Sequence, residues 1–475
     1  MSCLLVANRG EIAVRVLRAA RDLGFRAAAV YSDADRGGRH VRMADEAFHL
    51  GPTEPAASYL NIPRLLEAAA ALGATHVHPG YGFLSENAAF AQAVLDAGLV
   101  WVGPSPTAIA VMGDKVAARA AMVAAGVPVI RGVDNSAQLA SLGFPLVVKA
   151  VAGGGGRGMR VVRGADALAE AVAGAAAEAL AAFGDGRLYG EALIEPARHV
   201  EVQVLGDRFG RIISLGAREC SVQRRNQKLL EETPVPGLRP DTLAAMEQAA
   251  IRAATAVGYV GAGTVEFLFA PDSSFAFLEM NTRIQVEHGV TELVTGVDLV
   301  QAQIRLADGA ALSVPPPPRG HAMEARICAE NVAEGFLPCP GTLRRFRMPA
   351  GPGVRVDAGY DEGDQVPEAY DSLLLKVMVH AEDRAGAIAR LRRALDEVDI
   401  AGVPTTAPLL RRVLQTPEFV AGLVHTQWLD TQPTAVPVAT VAALAAAWAF
   451  AQVVPAPAAV AAAATTPWQT LGSWR

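Results

Sequence analysis

The run Glu279-Met-Asn-Thr-Arg-Ile-Gln-Val-Glu-His288, together with Glu266 upstream, gathers acids, an amide and a guanidinium at two-residue spacing. Pro271-Asp-Ser-Ser274 has turn composition, so the flanking segments 264–270 and 275–280 read as a hairpin. With those four residues as the loop, Ala270 faces Phe275, and counting back places Glu266 opposite Glu279. Side chains alternate along a strand, so Asn281 joins that face while Phe267, Phe269, Leu278 and Met280 point away. Two carboxylates at cross-strand distance, roughly 4.5–5.5 Å between Cβ atoms, repel unless a cation lies between them. Oxygen ligands suit a hard divalent ion, Mg²⁺ or Mn²⁺. The alternation runs on, with Arg283, Gln285 and Glu287 on the polar face and Thr282, Ile284 and Val286 on the other. A solvated face on an edge hairpin has no need of paired acids followed by Arg and Glu in register.

Two further clusters supply a substrate for such a metal. In Ala152-Gly-Gly-Gly-Gly-Arg-Gly158 the glycines 153–156 and Gly158 lie between short strands at 146–149 and 159–162. Without Cβ atoms, their N–H groups can converge on phosphate oxygens. No Gly-Lys-Ser/Thr follows, so this is a strand–loop–strand flap and not a Walker A loop. Lys149 ends the entering strand, where an ammonium can meet phosphates, and Lys115 after Gly113-Asp114 is a second candidate. Arg224, Arg225 and Lys228 form a basic cluster suited to a small oxyanion. Flap, lysines, metal carboxylates and an anion pocket describe an ATP-dependent ligase that activates a small acid by phosphorylation.

The elements that must position these groups follow from the rest of the chain. At 475 residues, two to four domains are expected. A strand at 3–7, a turn at Asn8-Arg9-Gly10, a helix ended by Gly24 and a strand at 27–31 form a βαβ unit of the doubly wound kind. That turn lacks G-x-G-x-x-G, which argues against NAD. Segment 131–193 reads as a small module, and strands dominate from 200 to about 430. The expected fold is α/β and α+β multidomain: a parallel-sheet domain at 1–113, a connector and lid at 114–204, a central and C-terminal α+β part at 205–430, and an Ala/Pro-rich linker at 431–475.

Composition narrows the class. With 51% hydrophobic and 19% charged residues the chain is globular, and a net charge of −6 gives no basic field for nucleic acid. Cys3, Cys220, Cys328 and Cys339 have neither metal-ligand spacing nor a disulfide pattern, which fits a cytoplasmic protein. Residues 438–454 carry no charge but are mostly alanine between Pro437 and Pro455, so a linker helix is expected and not a membrane span.

From about residue 4 to 429 the chain resembles biotin carboxylases, the ATP-grasp component of biotin-dependent carboxylases. The resemblance rests on Ala7-Asn-Arg-Gly-Glu-Ile-Ala-Val14, His78-Pro-Gly-Tyr-Gly-Phe-Leu-Ser-Glu-Asn87, Gly153-Gly-Gly-Gly-Arg-Gly-Met-Arg160, Arg198-His-Val-Glu-Val-Gln-Val204 and 279–288. It implies that Lys115, Lys149, Gly153, Gly154, Gly155, Gly156 and Gly158 hold ATP phosphates. Glu191 and the Leu193 and Ile194 backbone would lie at the adenine hinge, with His199, Gln223 and Asn226 lining the nucleotide pocket. Glu266, Glu279 and Asn281 would bind the metals. Lys228, Arg283, Gln285 and the Val286 backbone would hold bicarbonate, and Glu287 would deprotonate it for attack on the γ-phosphate. The carboxyphosphate formed would break down to CO₂ and phosphate. Phosphate would deprotonate biotin, Arg345 would stabilise the biotin enolate, and Tyr81 would lie beside it. Implied cofactors are ATP, Mg²⁺ or Mn²⁺, and biotin on a separate domain or protein; implied partners are that carrier, a carboxyltransferase and a second copy in a dimer.

The chain departs from the family pattern at four positions: Asn226 for the usual His, Gly289 for Pro, Ala192 for Lys and Ala152 for Gly. The first two are similar to the urea carboxylase branch, whereas Gly113-Asp-Lys115 and the C-terminal Thr-Pro-Trp are similar to acyl-CoA carboxylase α subunits. No Met precedes a Lys, so the biotin attachment motif is absent, and a split or truncated α subunit is expected. Other readings are an ATP-grasp ligase joining a carboxylate to an amine, and a degenerate ATP-binding subunit.

Overall fold

The first strand, β1 (Cys3–Val6), shows how the N-terminal sheet is buried: Leu4 and Val6 enter one apolar cluster, Cys3 and Leu5 another on the opposite face. A strand covered on both sides needs the continuous apolar run that this sequence has. The computed structural model describes residues 2–151 and 158–433, with Ala445 and Trp448. Gly153, Gly154, Gly155 and Gly156 of the glycine loop, Ala152, and the 438–454 segment apart from Ala445 and Trp448 lie outside the described residues. Residues Met1–Gln432 form one compact unit.

β2 (Arg26–Ser32), β3 (Glu46–Gly51), β4 (His76–His78) and β5 (Val100–Trp101) complete a parallel sheet of order β3-β2-β1-β4-β5. The strand order reverses at β1, and ligands in such sheets lie outside the strand ends at this switch point. There, the Asn8 amide donates to the carbonyls of Pro79 and Tyr81, both at 2.7 Å, fixing the loop that carries Tyr81.

The lid is a four-stranded antiparallel sheet of β6 (Gly132–Val133), β7 (Leu146–Ala150), β8 (Arg160–Val162) and β9 (Leu188–Ala192), in the order β6-β9-β7-β8. Leu146, Val148 and Ala150 pack against Ala175 and Ala179 of the helix Leu168–Phe183. Alternation therefore turns Val147 and Lys149 to the other side.

Eight longer strands build one antiparallel sheet: β10 (Arg198–Gly206), β11 (Ile212–Arg224), β12 (Gln227–Thr233), β13 (Gly261–Phe269), β14 (Phe275–Asn281), β15 (His321–Cys328), β16 (Val354–Ala358) and β17 (Leu373–Ala381). Their order is β14-β13-β10-β11-β12-β15-β17-β16. Val200, Val202, Val265 and Phe267 pack with Met246, Ala249 and Ala253 of the helix Pro240–Ala256, leaving the opposite face for polar groups.

The hairpin differs from its sequence reading in two ways. Phe269, not Ala270, faces Phe275, and a bulge at the Phe277–Glu279 step restores the register so that Glu266 still pairs with Glu279. One extra residue re-aims its neighbours, and Leu278 consequently lines the cleft instead of pointing away. The strand also ends at Asn281; residues 282–287 form a loop into the helix His288–Thr295.

Candidate active site

Strand register writes a charged row across four neighbouring strands: Arg218 on β11 faces Glu201 on β10, which faces Glu266 on β13, which faces Glu279 on β14. Glu266 and Glu279 of this row line a cleft of about 590 Å³ between the lid and the large sheet, a volume in the range of small-molecule sites. Its lining includes Tyr81, Lys115, Lys149, Leu193, Ile194, His199, Gln223, Asn226, Lys228, Glu266, Glu279, Asn281, Arg283, Gln285, Val286 and Glu287.

Lys228 is the hub. Its Nζ donates to Glu201 at 2.5 Å, Glu266 at 2.8 Å and Glu287 at 2.7 Å. Burial disfavours its charge, but these three carboxylates outweigh burial and raise it well above the usual lysine range. Glu287 receives Lys228 on one oxygen and Arg326 on the other at 2.9 Å. Burial opposes its ionisation, yet Lys228, Arg326 and Arg218 hold it well below the ordinary range, so it stands as a carboxylate.

Arg218 is fully buried and every N–H it owns is used. It donates to Glu201 at 2.6 Å, Gln203 at 2.8 Å, Thr291 at 2.9 Å, Gln285 at 3.0 Å and Thr264 at 3.1 Å. Because Arg218 takes the Gln285 carbonyl oxygen, the Gln285 amide nitrogen is left to donate to Glu266 at 2.8 Å. Arg283 donates to Glu86 at 2.8 Å and to Asn281 at 2.7 Å, tying the loop to the N-terminal domain.

The oxygen donors expected to bind a metal, Glu266, Glu279 and Asn281, all line the cleft. Glu266 accepts from Asn281 at 2.9 Å and lies 2.9 Å from His199 Nε2; Lys228 and His199 together overcome burial and keep it well below the usual range. Glu279 is shifted upward by burial and by Glu266, partly offset by Lys115. A divalent cation held by Glu266 and Glu279 would relieve that repulsion, and their oxygen donors fit Mg²⁺ or Mn²⁺. His199, Glu201 and Glu266 also bring ligand atoms within 4.8 Å of one another.

Several expected groups lie elsewhere. Lys149 lines the cleft but is engaged by Glu191, its diagonal neighbour across β7 and β9, and Glu191 itself lines a separate 300 Å³ cavity next to Lys115 and Glu279. Arg345 is not among the residues lining the cleft; it is half-exposed on a short strand, Arg345–Arg347, and pairs with Asp399 at 2.5 Å. Of the basic cluster, Arg224 leaves the site, donating to the Gly335 carbonyl and stacking on Phe336. Cys220 lies within 4.8 Å of Glu201 and Glu287, and burial raises its thiol well above the usual range, so it is not a thiolate.

The family models match in three consecutive blocks: the biotin carboxylase N-terminal domain over residues 1–109, the carbamoyl-phosphate synthase L chain ATP binding domain over 114–314, and the biotin carboxylase C-terminal domain over 324–431. A biotin carboxylase from Nostoc sp. is 48% identical over 438 residues, covering 90% of this chain and 98% of the relative. The chain belongs to the biotin carboxylase family. A biotin-dependent acyl-coenzyme A carboxylase alpha3 subunit from Mycobacterium leprae is 46% identical, over 90% of this chain and 74% of that protein. Among solved structures, the Campylobacter jejuni biotin carboxylase superposes with a TM-score of 0.88 at 42% identity, over 91% of this chain and 99% of the other.

Two departures from the family pattern have local explanations. Arg225 and Asn226 form the tip of the β11–β12 hairpin with φ of 48° and 66°. Asn tolerates this left-handed conformation better than most residues. At Gly289 a Cβ would stand 2.2 Å from Met378 Sδ, so the methionine already fills that space. Ala192 ends β9, and nothing in the structure explains the loss of the lysine there.

Sequence reasoning missed Glu201, Arg218, Arg326 and Glu86. Glu201 carried a signal, since His199, Glu201 and Gln203 alternate along one strand. Arg218, Arg326 and Glu86 carried none, because their partners come from segments distant in the chain.

Proposed function

We propose that, in the ATP-dependent carboxylation of biotin that its family catalyses, this chain holds bicarbonate among Lys228, Arg283, Gln285 and the Val286–Glu287 backbone and uses Glu287 as the base. The observation that carries this reading is the Lys228–Glu287–Arg326 cluster, which keeps a carboxylate ionised beside cations that favour an oxyanion. A carboxylate this acidic accepts a proton only from a substrate whose own pKa the same cations lower. Lys228 and Arg283 do so by placing positive charge where bicarbonate carries negative charge.

Lys115, Lys149 and Gly158 face the triphosphate, and Leu193, Ile194, His199, Gln223 and Asn226 surround the nucleoside. Opening Lys149 towards phosphate requires it to leave Glu191. Glu266, Glu279 and Asn281 hold Mg²⁺, which when bound neutralises the phosphate oxygens on which charge accumulates. The carboxylated product is biotin on a carrier that presents it near Tyr81, with Arg345 swinging from Asp399 to meet it.

The relatives named as subunits of acyl-CoA and pyruvate carboxylases support a multi-component assembly with a carrier and a carboxyltransferase, of the acyl-CoA type by the M. leprae likeness. A Hydrogenobacter thermophilus relative described as a dimer supports a homodimer. No described helix is long and apolar enough to cross a membrane, in keeping with a cytoplasmic location. The test is ADP release by the purified chain with Mg·ATP. It should require bicarbonate and rise with free biotin; release driven by an amine and indifferent to biotin would refute the assignment.

A further inference from the structure

Behind the bicarbonate loop, β15 and β17 present two cations in register, Arg326 facing Lys376. Such neighbours repel across strands unless acids separate them. Each grips one of two consecutive loop residues. Arg326 donates to the Glu287 carboxylate at 2.9 Å, and Lys376 Nζ donates to the Val286 carbonyl at 2.5 Å.

Lys376 is fully buried and does not line the cleft, whereas Val286 and Glu287 do. The peptide joining those two residues is planar, and its C=O and N–H point in opposite directions. With the Val286 carbonyl turned back onto Lys376, the Glu287 N–H is turned towards the cleft. A lysine with no solvent needs acids around it, and Glu11 and Asp357 stand at 3.5 and 3.8 Å. Glu11, Glu324 and Asp357 overcome burial and keep the ammonium charged. The same Glu11 oxygen accepts from the Tyr81 hydroxyl, whose ring lines the cleft.

We propose that Lys376 is a positioning residue for bicarbonate: by holding the Val286 carbonyl it sets the peptide whose N–H faces the oxyanion and, through Glu11, ties that peptide to Tyr81 on the N-terminal domain. The proposal rests on bicarbonate binding at this loop. Methionine matches the length of the lysine stem without the donor, so Lys376→Met removes the grip. It also leaves Glu11 without its cation, and the double variant Lys376→Met/Glu11→Gln relieves that.

The experiment measures steady-state ADP release against bicarbonate and against ATP, with calorimetric Mg·ATP affinity in the absence of bicarbonate. Both variants should raise KM for bicarbonate by about tenfold or more while KM for ATP and Mg·ATP affinity stay within about twofold. An unchanged KM for bicarbonate, a matching rise for ATP, or failure of both variants to fold would overturn the proposal in favour of a purely structural lysine. Absence of bicarbonate-dependent turnover in the unaltered chain would instead defeat the underlying assignment.

Discussion

The row facing the cleft and the layer beneath it handle buried charge in opposite ways. At the row, Arg218 donates to Glu201 and Lys228 donates to Glu201, Glu266 and Glu287, so Glu266 and Glu287 sit well below the usual carboxylate range. Beneath it, Glu231 and Glu324 face each other across β12 and β15; Arg326 pairs with Glu231 at 2.6 Å, and the Glu324 carboxyl has no hydrogen-bond partner. Burial raises both, Glu231 to about 7 against the pull of Arg326, and Glu324 well above its usual value. Neighbouring cations keep Glu266 and Glu287 charged, whereas Glu279, beside Glu266, and the Glu231–Glu324 pair are pushed towards holding a proton.

The sharpest way to break this contrast is to remove the cation that the row shares. Lys228→Met leaves Glu201, Glu266 and Glu287 to repel one another, and should lower kcat/KM for bicarbonate by at least about 100-fold, or about 3 kcal/mol. Next is Arg218→Met, which leaves the buried Glu201 with Lys228 alone and strips the Gln285 carbonyl oxygen of its donor. It should cost about 3–5 kcal/mol in urea unfolding. A loss below 1 kcal/mol would show that Arg218 does not organise the row.

The layer beneath should respond with the opposite sign. Glu231 has a folded pKa near 7, above its unfolded value, so the stability it lends is full below pH 4.5 and is lost as pH rises through 7. Glu231→Gln should therefore be more stable than the unaltered chain at pH 8, by about 3 kcal/mol at most, with the gap closing towards pH 5. Thermal melts at the two pH values check it; a gap that widens towards pH 5 would reverse the assignment. The smallest effect is at the edge of the same layer. Gly289→Ala meets Met378 and should cost about 1–3 kcal/mol, and a double-mutant cycle with Met378→Ala should show coupling above about 0.5 kcal/mol.

What could be read from the sequence divides along the same line. The Glu266–Glu279 pairing was legible because a hairpin is local, and turn composition limits its register. It survived a one-residue error at the turn only because the bulge beside Leu278 compensates. The polar identities of Arg283, Gln285 and Glu287 were legible too, but the strand assigned to them was not formed: the chain leaves the sheet after Asn281 to start a helix at His288. Arg218, Arg326 and Lys376 were illegible for a different reason. Each acts on residues tens of positions away, on strands whose adjacency is set by the order of the eight-stranded sheet, and no local pattern records that order. Glu201 sat in a quoted motif and still went unassigned, because its partners Arg218 and Lys228 come from β11 and β12.

Glu287 is proposed as the base that readies bicarbonate for phosphorylation. Its most direct test follows label from bicarbonate into free biotin, with Mg·ATP, for the unaltered chain and Glu287→Gln side by side, with Mg·ATP affinity measured on both. Incorporation should fall at least about 100-fold in the variant with nucleotide affinity unchanged. Equal incorporation by the two proteins would contradict the role assigned to Glu287.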